Sequence, residues 1–163
     1  MKYKKMMIAV GLVTLLVAGV RADERPPAKA EGKDFSAEVT TTYAWADHMP
    51  QVGKRTGGRQ YLTMTVKLTN PGKADLVVEL TGASVSFAKD KKGDAAKEIK
   101  IEGDKKNITN VTVKAGESKS VDLRGNGAYA AGHDGETLYV TLEFKGGNTT
   151  LAVSGESKVT ATF

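Results

Sequence analysis

From Phe35 onward, apolar side chains recur at every second position. Phe35, Ala37, Val39, Thr41, Tyr43 and Trp45 alternate with polar residues, the period of a strand with one face on a core. Leu62, Met64, Val66 and Leu68 repeat it, with Thr63, Thr65 and Lys67 turned outward. Leu76, Val78 and Leu80 follow, then Val85 and Phe87, around a Gly82 that marks a bend or bulge. Ile99 and Ile101, Val111 and Val113, Val121 and Leu123 are shorter pieces of the same kind. Leu138, Val140, Leu142 and Phe144 make the clearest late strand, and Leu151, Val153, Val159, Ala161 and Phe163 carry the period to the end.

The breaks between these runs are turns by their chemistry. Asn70-Pro71-Gly72-Lys73 combines a fixed φ with a residue that accepts positive φ, and Gly146-Gly147-Asn148 is a hairpin signal. Ala115-Gly116-Glu117 turns the chain between two of the shorter strands. Only Asp94 to Glu98 has helical appetite, and Gly103 limits it to about a turn. The pattern predicts an all-β chain: a single antiparallel β-sandwich of about nine short strands over 35–163.

Leu62 to Asn70 before its Pro-Gly turn, Val113 to Leu123, and Thr137 to Leu142 carry a likeness at the level of fold. On these motifs the stretch from about Tyr61 to Phe144 resembles the immunoglobulin-like modules of bacterial secreted and surface proteins. The resemblance implies an immunoglobulin-like sandwich and no particular activity. The Cys…Trp…Cys framework of antibody domains is missing, since the chain has no cysteine and its one tryptophan lies in the first predicted strand.

The beginning of the chain has a different grammar. A basic start through Lys5, an apolar run from Met6 to Val20 and the small-residue site Val20-Arg21-Ala22 read as a secretory signal peptide over 1–22. Residues 23–34, with adjacent Pro26 and Pro27 and no apolar period, read as a flexible leader. The signal also carries the charge. It holds four of the 24 basic residues and none of the 19 acidic ones, so the rest of the chain stands at 20 against 19. Its apparent basicity is therefore no footprint for nucleic acid. Without cysteine the fold has no disulfide staple and depends on its core. The expectation is a periplasmic or secreted monomer with no transmembrane segment after cleavage.

Candidate chemistry is sparse. The chain has only His48 and His133 as imidazole bases, and no serine sits in a Gly-x-Ser-x-Gly elbow, which points away from hydrolytic triads. The glycine-rich run Gly125 to Gly132 is followed by a strand pattern where a phosphate loop needs a helix. The expected protein is not an enzyme. Two long loops, 46–60 and 124–136, are its expected working surface, with Arg55, Arg59 and Tyr129 as contacts, because Tyr and Arg dominate interface hot spots. The expected function is that of a non-catalytic cell-envelope module binding a protein or glycan partner, without a cofactor. An alternative is a periplasmic copper- or zinc-binding protein using His48, Met49 and His133, a thioether–imidazole set suited to copper. A second alternative, drawn from the alternating C-terminal strand and Phe163, is a small outer-membrane β-barrel.

Overall fold

The computed structural model describes residues 25–47, 59–89, 93–103, 108–126 and 132–162, and these residues contain strands and no helix. The strands are β1 (Lys29–Glu31), β2 (Ser36–Asp47), β3 (Arg59–Thr69), β4 (Leu76–Ser86), β5 (Asp94–Ala95), β6 (Lys100–Ile101), β7 (Asn110–Val113), β8 (Ser118–Asn126), β9 (Thr137–Gly146) and β10 (Thr149–Thr162). Hydrogen bonding runs in the order β5-β4-β9-β10-β2-β3-β8-β6, with β1 on β2 and β7 on β4. The path divides into two layers facing each other across one apolar core. This is the β-sandwich that the alternation predicts.

β10 belongs to both layers. It pairs antiparallel with β9 along Thr149–Lys158, then parallel with β2 from Val159 to Thr162. Shortly before this change of partner lies Gly155, where an added Cβ would strike the Thr42 hydroxyl and lie 2.9 Å from Val39 Cγ1 and 3.1 Å from Met64 Cε. Close packing of these β2 and β3 side chains against the β10 backbone is why this strand position carries no side chain.

The core follows from period two. Leu138, Val140, Leu142 and Phe144 of β9 are fully buried, as are Leu62, Met64, Val66 and Leu68 of β3. Each such side chain contributes roughly 1.5–3 kcal/mol by leaving water. Thr63, Thr65, Lys67 and Glu143 point the other way. An apolar interior with a polar outside is the reverse of a lipid-facing barrel, so the outer-membrane alternative does not hold.

Three expectations need correction. Not all the strands are short: β1, β5, β6 and β7 run two to four residues, but β2, β3, β4, β9 and β10 each run ten or more. β4 reaches that length by absorbing a bulge between Leu80 and Gly82, where the sequence suggests a bend. Asp94 to Glu98 forms no helix; its first two residues pair with β4 as β5.

The third concerns residues 25–34, which are built into the sandwich and do not form a flexible leader. β1 pairs with β2 from Lys29↔Glu38 to Glu31↔Ser36. The Val39 N–H donates to the Ala28 carbonyl (2.7 Å) and the Ser154 N–H to the Pro27 carbonyl (3.0 Å), while the Ser154 hydroxyl donates to Pro26. Arg25 lies 3.7 Å above the Tyr139 ring and donates to the Ala88 carbonyl. β10 pairs with β2 only near their ends, so the N-terminal half of β2 needs another partner, and this segment supplies it. Prolines suit the seam because it draws on their carbonyls alone. The predicted signal over 1–22 lies outside the described residues.

Two polar side chains fix the turns. Asn70 is 2% exposed. Its Nδ2 donates to the carbonyls of Ala74 (2.8 Å) and Val113 (3.1 Å), and its Oδ1 accepts from the Gly72 N–H (2.9 Å). Asp34 Oδ2 accepts from the Asn148 N–H (3.0 Å) and the Thr149 hydroxyl (2.8 Å), holding the β9–β10 hairpin beside Gly147 at φ 58°.

Candidate functional site: one end of the sandwich

Strand register determines which loops meet. Asp47, the last residue of β2, pairs with Arg59, the first of β3. Tyr61 pairs with Trp45 on one side and with Asn126, the last residue of β8, on the other. The connections that follow β2 and β8 therefore leave the same end of one sheet. β9 starts and β10 finishes at this end too, since Thr137 pairs with Lys158 and Thr162 with Asp47. The stems of the two long loops thus converge, with strand ends a little further out than the sequence bounds of 46–60 and 124–136.

The aromatic residues at this end are not where simple alternation puts them. The sequence reading places Thr41, Tyr43 and Trp45 on the buried face with Phe35 and Ala37. In the structure the β2–β3 register shifts between Val39 and Thr41. Thr40 is the extra residue of this bulge, and its hydroxyl donates to the Thr65 carbonyl (3.1 Å). One inserted residue reverses every later side chain. Ala44 and Ala46 are consequently buried, while Tyr43 is 48% exposed and Trp45 partly exposed.

A signal for this reversal is present in the sequence. The large inward residues Leu62 and Met64 of β3 lie opposite Ala44 and Thr42, and small partners leave room for them. With Tyr43 and Trp45 inward, rings would compete for that volume.

The outcome is an aromatic patch on the outer face. The Trp45 ring lies 4.9 Å from Tyr61 at 26° and 5.2 Å from Tyr43 at 33°. Tyr43 pairs with Thr63, Trp45 with Thr160, and Thr63 with Arg124. Two charged groups nearby have described partners. Arg124 Nε is 2.8 Å from Glu102 Oε2, and Asp122 accepts from the Thr65 hydroxyl at 2.7 Å.

His133 sits at the same end, on the other layer. Its ring stacks on Phe87, just beyond β4, with centroids 3.8 Å apart and planes 9° from parallel. Nδ1 lies 3.1 Å from Glu136 Oε2 without the alignment of a hydrogen bond, so stacking is the better-formed contact. The Gly135 N–H and the Glu136 carbonyl bind the backbone of Val159, tying this turn to β10. Among the described residues no group of three or more His, Cys, Asp or Glu side chains could hold a metal ion. His48, Met49, Arg55 and Tyr129 lie outside the described residues, and Arg59 is described only as the strand residue opposite Asp47. Among the described residues no helix is long and apolar enough to cross a membrane.

The fold and this end of it define an all-β sandwich with an aromatic patch beside the strand ends where two long connections begin and end. No protein-family model matches the chain, and no curated protein matches it. Solved structures resemble it in fold. A lipoprotein-like chain from Bacillus subtilis aligns at 11% identity and a TM-score of 0.46, over 81% of this chain and 39% of that one. This chain thus spans about two-fifths of that relative's length. A β-sandwich protein from Clostridium difficile aligns at 11% identity and 0.41, over 82% of this chain and 96% of that one. The apo PCuAC domain of PmoF2 aligns at 15% identity and 0.43, over 82% and 94%.

Proposed function

We propose that this protein is an exported, non-catalytic binding module of the cell envelope, and that it binds through the sandwich end formed by loops 46–60 and 124–136. The observation that carries the reading is the convergence of both loop stems on Tyr61, between Trp45 and Asn126. Long loops on a rigid sandwich are where such folds place recognition. Arg55, Arg59 and Tyr129 belong to this end by sequence, and Tyr43, Trp45 and Tyr61 join them by register. The scarcity of imidazole and the absence of a nucleophile elbow support binding over catalysis. The basic start and apolar run of residues 1–22 support export.

The test is co-sedimentation of the full gene product, expressed through its own leader in a bacterial host, with washed envelope fragments. Saturable binding is expected, weakened by replacing Arg55, Arg59 and Tyr129 together with alanine. Absence of saturable binding, or binding untouched by that triple change and by Tyr43→Ala, would overturn the proposal.

A further inference from the structure

We propose that the aromatic patch on the outer face of β2 and β3 binds an uncharged β-linked sugar chain, with one pyranose ring packed on Tyr43. The inference rests on the binding-module reading and names its ligand class. Tyr43 is the most exposed aromatic residue among those described, at 48%, and it forms a contiguous surface with Trp45 and Tyr61. Scattered exposed apolar residues need no explanation, but a cluster of rings on a face otherwise made of Thr, Lys, Asp and Ser does. The rings stand on two long paired strands, so binding would order little that is not already ordered.

The surroundings select the ligand. Thr41, Thr63 and Thr160 lie around the rings and offer hydroxyls that both donate and accept. Beside the rings, Arg124 is paired with Glu102 and Asp122 accepts from the Thr65 hydroxyl, so these two charged groups are already engaged, which favours an uncharged ligand over a polyanion or nucleotide. A peptide finds no edge for strand addition here, because β3 is paired with both β2 and β8, and the stretch of β2 between its β1 pairing, which ends at Glu38, and its β10 pairing, which starts at Ala44, is too short. What fits is a molecule with a flat, weakly electropositive C–H face and a rim of hydroxyls. A hexopyranose with all substituents equatorial has that shape, since its axial hydrogens form an uncluttered face and an aromatic face is electron-rich. β-1,4-linked glucose and N-acetylglucosamine chains repeat it.

The experiment uses the sole tryptophan as reporter, because Trp45 touches both Tyr43 and Tyr61. The full protein is titrated with the β-1,4-linked hexamers of glucose and of N-acetylglucosamine while Trp45 emission is followed. At least one hexamer should produce a saturable change. Tyr43→Ala, checked by its melting temperature to be folded, should weaken binding by about fivefold or more, and Tyr43→Phe by much less. No response to either hexamer, or undiminished binding by Tyr43→Ala, overturns the sugar assignment. Envelope co-sedimentation that persists without a hexamer response overturns it too and leaves the binding module standing. Sedimentation lost on protease treatment of the envelope points to a protein partner, again against the sugar. Loss of both sedimentation and hexamer binding overturns both readings.

Discussion

Gly155, still paired with β9 shortly before β10 changes partner, is where β10 packs tightly on β2 and β3, and Gly155→Ala tests that packing. The new methyl group would collide with the Thr42 hydroxyl and lie 2.9 Å from Val39 Cγ1 and 3.1 Å from Met64 Cε. All three neighbours belong to β2 or β3, which are paired with each other, and β3 is also paired along its length with β8, so the methyl has little room to escape. Overpacking of this kind costs about 1–3 kcal/mol, and reduced unfolded-state entropy returns about 0.4–1 kcal/mol. The net expectation is a loss of roughly 1–2 kcal/mol, or a fall in Tm of about 2–8 °C for a chain of this size. Urea melts followed through Trp45 emission would measure it. The double variant Thr42→Ala/Gly155→Ala should recover about 1 kcal/mol relative to additivity, because the worst collision is then absent. Wild-type stability in Gly155→Ala, or strict additivity in the cycle, would refute the tight packing of β10 on β2 and β3 at this position.

Four further outcomes are expected. Asn70→Ala removes three hydrogen bonds and leaves two carbonyls and an N–H short of a partner, so it should cost about 2–4 kcal/mol in urea denaturation. Asp34→Ala frees the β9–β10 hairpin from its side-chain anchor, at about 1–2 kcal/mol, with faster amide exchange at Asn148. Trp45→Ala should cost about 1–2 kcal/mol, the loss of two surface ring contacts, whereas a core tryptophan would cost about 3–5. A loss above 3 kcal/mol would return that ring to the interior. Removing residues 25–31 should lower stability by about 2–4 kcal/mol and promote association between copies, measured by light scattering, because the N-terminal half of β2 loses its β1 partner.

Much of the architecture was legible in the chain. The alternation in β3 and β9 names the buried faces correctly, because an uninterrupted period of two leaves each strand one way to lie. The turns at Asn70 and Gly147 were legible as well, since proline, glycine and asparagine have local conformational preferences. The candidate site was legible only in part. Two long loops can be counted along the sequence, but their meeting at one end is a matter of register.

By itself, then, the sequence determines the class of fold, most of the core and the positions of the main turns, all of which depend on neighbours within a few residues. Tertiary structure decides three other things. The bulge at Thr40 turns Tyr43 and Trp45 outward, because Leu62 and Met64 on the paired strand need small residues opposite. Residues 25–31 become a structural strap, because β10 leaves much of β2 without a neighbour. His133 is committed to Phe87, distant in sequence, and a loop histidine in isolation gives no sign of that. Each depends on what a distant segment places alongside, and local propensity carries no information about it.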